Sequence, residues 1–427
     1  MSDVAVAPGR HSAGLTASKQ RRRLRGGTVV RVALVLVLVV FPLYADTSLE
    51  QIGLFAMAAV VGAIGLTLLT GAAGQLSLAQ AFFLAVGAYS YSFYSGPSAS
   101  LSAGAKGLAL SPVLAAVIAV LTAGLAGLLF SPIASRLRGI YLGVASLSLV
   151  FIGTFVYENF RSLTGGFNGR AAAPFAVPGF SFGNDNPTLF VANVPFMRFE
   201  KLWELFLALT VLAYLFARNV LRGRMGRAMQ TMRDSEVAAS VMGVDIRRTK
   251  AGVFVLSSMY AGLAGVMIGL AFGRITPDYF QLPLSIAYLA MIVIGGLGSV
   301  GGATLGAVFV TVLPELLSRY SDSLPFVAAT GGSGYDAGKI NAVLYGVAII
   351  LVVLFEPGGL VALGRRLTGR RAPRALEPSP ATADSPSTSA SSAPVSASAR
   401  RTTEGTTEGS TIQRSTQGTT PTQEDPA

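Results

Sequence analysis

The sequence predicts an all-α, polytopic membrane protein with about ten transmembrane helices. Three observations predict this fold class: 52% of the 427 residues are hydrophobic, only 13% are charged, and the apolar residues form long unbroken runs. Soluble domains carry about 25% charged residues, and barrel strands would alternate apolar and polar positions. The organisation of this chain is therefore described by counting membrane spans and not by dividing it into soluble domains.

Each predicted span is an apolar run bounded by charges, prolines or glycine clusters. Between residues 32 and 135 the charged residues are Asp46, Glu50 and Lys106, and a bilayer core needs about 20 apolar residues per helix. The predicted spans lie near 29–45, 51–70, 76–95, 111–134, 139–157, 201–221, 250–272, 284–298, 302–318 and 340–356. We expect residues 29–365 to form one membrane domain.

The distribution of charge predicts which loops face the cytoplasm. Residues 1–31 carry seven basic and one acidic residues, and residues 218–250 carry eight basic and three acidic ones. The loops expected on the other side balance to zero. Because basic residues accumulate on the cytoplasmic side of membrane proteins, we expect both termini to be cytoplasmic, and the net charge of +12 indicates topology and not nucleic-acid binding.

Both ends of the chain are polar. Residues 1–28 form a basic arm, and residues 366–427 are rich in Ser, Thr and Pro with few large apolar residues. Such segments bury too little surface to offset the entropy of ordering. We expect both to be disordered.

The composition excludes most catalytic chemistry. The chain has no cysteine and one histidine, His11, so it cannot form a disulfide, a thiolate nucleophile, an interior Ser-His-Asp triad or a conventional zinc site. We therefore expect no catalytic residues, no metal and no cofactor of its own.

Two glycine motifs resemble nucleotide sites but lack the required context. Residues 296–301 fit G-x-G-x-x-G but lie between two apolar spans, with no preceding strand. Residues 332–340 resemble a Walker A loop, with Ser333 and Ile340 where glycine and Ser/Thr are required. We therefore interpret residues 296–301 as a turn or a close helix contact.

Ion coupling would require carboxylates deep in the membrane. The acidic residues within the predicted spans are Glu204, Glu315 and Glu356, each near the end of a span. Interfacial, solvated positions explain them more simply, which disfavours an ion-driven transporter.

The cytoplasmic loop at residues 222–250 predicts a short helix. Ser235 can cap its start, Glu236 suits its first turn, and Gly243 can end it after about eight residues. Val237 and Val241 would share an apolar face. Such a helix either docks into another protein's groove or lies on anionic lipid as a plain connector.

At this loop the sequence resembles the branched-chain amino acid permeases of the LivM type, a family of ABC-importer subunits. The resemblance begins with Gly226-Arg227-Ala228, runs through residues 233–239 and ends at Met242-Gly243. Further blocks follow in the family's order, at residues 65–91, 137–152, 159–169, 261–269, 292–317 and 344–360. The resemblance covers about residues 50–365 and not the two polar ends.

The resemblance implies an ABC-importer permease fold, a second homologous permease, two cytoplasmic ATPase subunits that use the ATP, and an extracytoplasmic substrate-binding protein. By carry-over, the ATPase contact consists of Arg227, Arg233, Asp234, Glu236, Ala238, Ala239 and Gly243. The small face of Ala238 and Ala239 would enter the partner's cleft.

Two glycine-rich segments are the candidate translocation path. Glycines allow broken helices whose free backbone and polar side chains can face a substrate, although close helix packing explains them equally well. The candidates are Gly71, Gly74, Gln75, Ser77, Gln80, Gly295, Gly296 and Gly298. The turn at residues 163–169 lies on the outside, where it either meets the binding protein or simply stabilises a loop.

The sequence therefore predicts a membrane permease subunit of an ATP-driven importer for branched-chain or other hydrophobic amino acids, in the inner membrane. The alternatives are a permease for urea, short amides or another small polar solute, an ion-coupled secondary transporter, and a non-transporting scaffold. Nothing predicts a nucleic-acid partner.

Overall fold

A computed structural model describes residues 33, 35–97, 107–137, 139–183, 190–191, 194–195 and 197–320, with the scattered positions 346, 347, 350, 354 and 359–361. The predicted arm 1–28, the tail 366–427, the Walker-like segment and most of the predicted span 340–356 lie outside these residues.

The described chain is mainly helical. Its helices are α1 (Thr47–Leu66), α2 (Gln80–Ser95), α3 (Pro112–Arg136), α4 (Ile140–Asn159), α5 (Arg198–Arg222), α6 (Arg224–Asp234), α7 (Glu236–Val241), α8 (Ile246–Phe272), α9 (Leu282–Gly295) and α10 (Val300–Tyr320). Shorter turns occupy Phe41–Leu43, Arg161–Thr164, Gly166–Asn168 and Pro277–Phe280. α1 continues into a π-helical turn at Thr67–Ala72.

Six two-residue strands form three antiparallel pairs outside the helices. β1 (Arg170–Ala171) pairs with β6 (Arg274–Ile275), β2 (Ala176–Val177) with β3 (Phe180–Ser181), and β4 (Phe190–Val191) with β5 (Val194–Pro195).

Five helices in the described part of the chain are long and apolar enough to cross a membrane. They are Thr47–Ala72, Pro112–Arg136, Ile140–Asn159, Arg198–Arg222 and Ile246–Phe272, and Leu282–Gly295 and Val300–Leu316 are shorter apolar helices. All seven agree with predicted spans to within a few residues.

α1 and α8 form the centre of the bundle. In each of these two helices, 78% of the most apolar 18-residue segment is buried within the protein. The corresponding segment of α5 is 22% buried. α8 packs against α1, α2 and α3, and α9 and α10 pack on each other and on α1. The contact of α2 with α8 is close because both sides carry glycine: a Cβ on Gly87 would lie 2.5 Å from the Cα of Gly262.

Two predicted boundaries shift by four residues, and one segment predicted as a loop is helical. The span 76–95 begins at Gln80, because residues 74–79 are extended. The span 250–272 begins at Ile246, because Asp245 caps α8 by accepting a hydrogen bond from the Arg248 N–H at 3.0 Å. Residues 46–50 are not a loop: Glu50 lies in the first turn of α1 and is 1% exposed.

Candidate coupling and translocation site

The loop at residues 222–250 contains two helices where one was predicted. The Ala238 N–H donates to the Ser235 Oγ at 3.2 Å, so Ser235 caps α7 as predicted. α7 has six residues and not eight, and Gly243 follows it with φ +82°. α6 was missed, although Met225, Met229 and Met232 recur at helical spacing, and Met229 and Met232 are buried.

α7 presents an exposed apolar face. Val237 is 70% exposed, Val241 83% and Met242 75%. Ala238 is exposed beside them, whereas Ala239 is fully buried in a cluster that includes Met229 and Phe254. Ala239 therefore cannot enter a partner's cleft as predicted: it anchors α7, and the larger side chains form the available face.

An ion pair joins α7 to the base of α8. The Lys250 Nζ lies 2.8 Å from the Glu236 Oε1, and the two side chains are 3% and 25% exposed. The pair fixes the direction of α7 because a buried ammonium group requires its counter-charge. Arg227 and Asp234 are exposed on α6, and the Arg227 Nη1 donates to the Arg222 carbonyl at 3.5 Å.

Arg233 is exposed along much of its side chain, and its guanidinium reaches from this loop to the helix break after α1. Its Nη1 donates to the carbonyl oxygen of Gly71 at 2.6 Å. A Cβ on Gly74 would lie 3.0 Å from the Arg233 Cγ, and one on Gly298 would lie 3.2 Å from Nη1. One side chain of the loop at residues 222–250 thus contacts both candidate path segments.

The first path segment is a broken helix. The π-helical turn ends at Ala72, Gly74 has φ +70°, and an extended stretch leads to α2. The Gln80 Nε2 donates to the Gly62 carbonyl at 3.0 Å, and the Ser77 Oγ accepts from the Ala79 N–H at 3.3 Å. These two polar side chains therefore stabilise the break itself.

Gln75 differs from Ser77 and Gln80 in its side-chain hydrogen bonding. It is 5% exposed, and neither its Oε1 nor its Nε2 makes a hydrogen bond within the described part of the chain. A buried polar group without a partner costs about 1–3 kcal/mol. Gln75 is thus the path residue with unused hydrogen-bonding capacity.

The second path segment is the break between α9 and α10. Gly296 has φ +112° and Gly298 has φ +81°, and Gly295 packs on Gly302 so closely that a Cβ there would lie 2.1 Å from the Gly302 carbonyl oxygen. The element before Gly296 is a helix and not a strand, so the dinucleotide motif has the wrong context.

The two breaks touch. A Cβ on Gly71 would lie 2.5 Å from the Gly298 N, so the backbones meet because neither residue has a side chain. Sequence reasoning proposed these segments separately, and the tertiary structure brings both together with Arg233.

The turn at residues 163–169, predicted to lie outside, is stabilised by several hydrogen bonds. The Thr164 Oγ1 donates to the Tyr157 carbonyl at 2.7 Å, and Arg170 donates to the carbonyls of Leu163 at 3.0 Å and Ser92 at 3.1 Å. Burial lowers the pKa of the Arg170 guanidinium from its ordinary value, and arginine nonetheless stays protonated in proteins. The geometry is that of a stable turn, and contact with a binding protein stays a prediction.

The described chain is a helical bundle with apolar helices long enough to cross a membrane, two touching helix breaks and a capped helix in the loop at residues 222–250. The family described as "Branched-chain amino acid transport system / permease component" matches residues 48–353, and the chain belongs to it.

Individual relatives agree with this assignment. The chain is 27% identical over 366 residues to the high-affinity branched-chain amino acid transport system permease protein LivM of Escherichia coli K12, covering 78% of this chain and 75% of the relative. It is 22% identical to a probable LivM of Methanocaldococcus jannaschii, covering 58% and 68%, and 28% identical to LivH of Salmonella typhimurium, covering 52% and 64%. No solved structure matches.

Proposed function

We propose that this protein is a membrane permease subunit of an ATP-driven importer for branched-chain or other hydrophobic amino acids. The relatives are named as permeases for branched-chain amino acids. Pairing with a second permease is supported by the similarity to both LivM and LivH proteins. Ten spans, cytoplasmic termini and an external binding protein complete the proposal, supported by the charge distribution and the family.

The observation that carries the proposal is the contact of Arg233 with both breaks. Arg233 comes two residues before Ser235, the cap of α7. A movement of α7 is therefore transmitted to the Gly71 carbonyl and the Gly298 turn through one side chain. Such a link is what a subunit needs when a separate ATPase supplies the energy.

The exposed face of α7 is the proposed ATPase contact. Val237, Val241 and Met242 form an apolar surface that a groove in the ATPase would bury, and the Glu236–Lys250 pair holds it in place. Gln75 is the proposed substrate-facing group, because its unpaired amide can exchange hydrogen bonds with a polar solute as it passes.

Co-purification tests the contact. A tagged chain, co-expressed with its ATPase and second permease, is expected to capture both in mild detergent. The double substitution Val237→Glu and Val241→Glu should abolish ATPase capture, because two carboxylates would be desolvated, and should leave the second permease bound. Gln230→Glu adds a charge at an exposed position of α6 and serves as the matched control. If the unmodified chain captures no ATPase, the proposal fails.

A further inference from the structure

A pocket of about 280 Å³ lies between the outside loop and the ends of α5 and α8. α5 leads into the cytoplasmic loop and α8 leads away from it, so Arg198 at the start of α5 and Gly273 after α8 lie on the opposite, outer side. The pocket is lined by Phe175, Phe182, Leu202, Leu270, Arg198 and Gly273, among others.

Apart from Arg198, the side chains that line the pocket are apolar, although backbone and guanidinium groups make its exposed surface more polar than apolar. A hairpin braces one wall. The rings of Phe175 and Phe182 meet edge to face with centroids 5.5 Å apart. The Phe182 N–H donates to the Phe175 carbonyl at 2.8 Å, which extends the β2–β3 pairing. Leu202 and Leu270 supply the opposite side. The pocket therefore presents preformed surface for an aliphatic group.

Arg198 supplies the single charged side chain among the residues lining this pocket. Its Nη2 donates to the Leu270 carbonyl at 2.6 Å. Among the described residues Nε and Nη1 donate to no acceptor and no carboxylate pairs with the guanidinium. Gly273, with φ +76°, leaves room for it: a Cβ there would lie 3.1 Å from Nη2.

We propose that this pocket binds a hydrophobic amino acid, with its carboxylate on Arg198 and its side chain against Phe175, Phe182, Leu202 and Leu270. Arginine binds carboxylates through paired N–H groups. A volume near the lower end of the usual range, about 300–1,000 Å³, suits one amino acid and not a larger solute. A neutral amide would leave the guanidinium charge uncompensated. The proposal rests on the proposed function, for which it supplies a receiving site on the outer side.

Three probes separate the parts of the ligand. L-Leucine has both the carboxylate and the aliphatic group, 4-methylpentanoate lacks the amine, and 3-methylbutylamine lacks the carboxylate. In binding titrations with the full chain in nanodiscs, the first two should bind and the amine should not. Arg198→Gln should weaken leucine binding by about tenfold or more, because a charge-assisted hydrogen bond is lost.

Two further variants complete the binding experiment, one as a control outside the pocket and one as a second change within it. Arg274→Gln removes an arginine on the same side that bonds to the Asn168 carbonyl at 2.9 Å and does not line the pocket, and it should bind leucine as the unmodified chain does. Ala173→Trp fills the pocket without altering Arg198, and it should abolish binding. The Tyr91 hydroxyl donates to the backbone carbonyl of Ala173 at 2.9 Å, and the substitution leaves that carbonyl in place.

The inference is overturned if the unmodified chain binds neither carboxylate, if the amine binds as well as leucine, or if both pocket variants bind leucine normally. Absence of leucine binding with normal ATPase capture would overturn only this inference. Leucine binding without ATPase capture would overturn only the proposed function.

Discussion

Arg233 is the residue on which the proposed coupling depends. Its guanidinium donates to the Gly71 carbonyl at 2.6 Å and lies against Gly298. The carbonyl of a broken helix lacks its normal helical partner, so the arginine replaces a backbone hydrogen bond with a charge-assisted one. The same contact both stabilises the break and connects it to the loop at residues 222–250.

Arg233→Ala should lower transport without loss of the ATPase contact. We expect uptake by the assembled transporter to fall about fivefold, since a hydrogen bond from a partly exposed charged group contributes about 1 kcal/mol. ATPase capture should persist, because the apolar face of α7 is unchanged. Uptake and capture are measured in parallel, with Arg224→Ala, an exposed arginine of the same helix, as control. Normal uptake by Arg233→Ala would contradict the coupling role.

Gly71→Ala should destabilise the membrane domain. The added methyl would lie 2.5 Å from the Gly298 N, and overpacking of this kind costs about 1–3 kcal/mol. Gly301→Ala is the matched control: it lies in the first turn of α10, and the nearest neighbour of the added methyl would be the Tyr214 hydroxyl at 3.9 Å. The fluorescence of Trp203, the single tryptophan, reports thermal unfolding of both. Equal stability of the two variants would contradict the close contact.

At the scale of the element, α7 is too short to be stable alone. Six residues make less than two turns, and isolated helices of that length do not persist in water. The Ser235 cap, buried Ala239 and the Glu236–Lys250 pair hold it. These three contacts hold α7 so that its apolar face stays exposed.

Glu236→Gln should loosen α7 because it leaves the Lys250 ammonium buried without its counter-charge. We expect faster hydrogen exchange at the amides of residues 236–241. Adding Lys250→Met should restore part of the protection, because an apolar side chain has no charge to compensate. If the double variant exchanges faster than Glu236→Gln alone, the ion pair is not what holds the helix.

At the scale of the whole molecule, we propose that the charge distribution determines orientation. The helix pair α5 and α8 connects the loop at residues 222–250 to the pocket beside Arg198, so the orientation of this pair decides which site would meet the proposed ATPase and which would meet external substrate. Eight basic residues against three acidic ones at residues 218–250 favour an inward position of that loop.

Cysteine labelling tests this orientation cleanly, because the natural chain has no cysteine. In intact cells an impermeant maleimide should label Asn168→Cys, in the outside turn. Gln230→Cys and Ser389→Cys should react only after the membrane is permeabilised. Labelling of Ser389→Cys in intact cells would contradict a cytoplasmic C-terminus, and unlabelled Asn168→Cys would contradict the outer position of the turn.

The sequence alone predicted the membrane class, the approximate spans and the cap and end of α7. Apolar run length, Ser235 and Gly243 act through local physics, namely the thickness of the bilayer and the hydrogen bonds of a helix end. The same reasoning was wrong about Ala239 and Glu50, because burial depends on which helices pack beside a residue. It also missed α6, whose methionine spacing gave a usable signal.

Only the tertiary structure decided how the functional residues are assembled. Gly71, Gly298 and Arg233 are separated by up to 227 positions in the chain, and Arg198 meets Phe175 and Leu270 across three elements. Spacing along a sequence determines local turns and faces, whereas contacts between distant segments follow from how the whole bundle packs. The sequence therefore established a membrane permease, and the packing of its broken helices determined where coupling and substrate recognition are proposed.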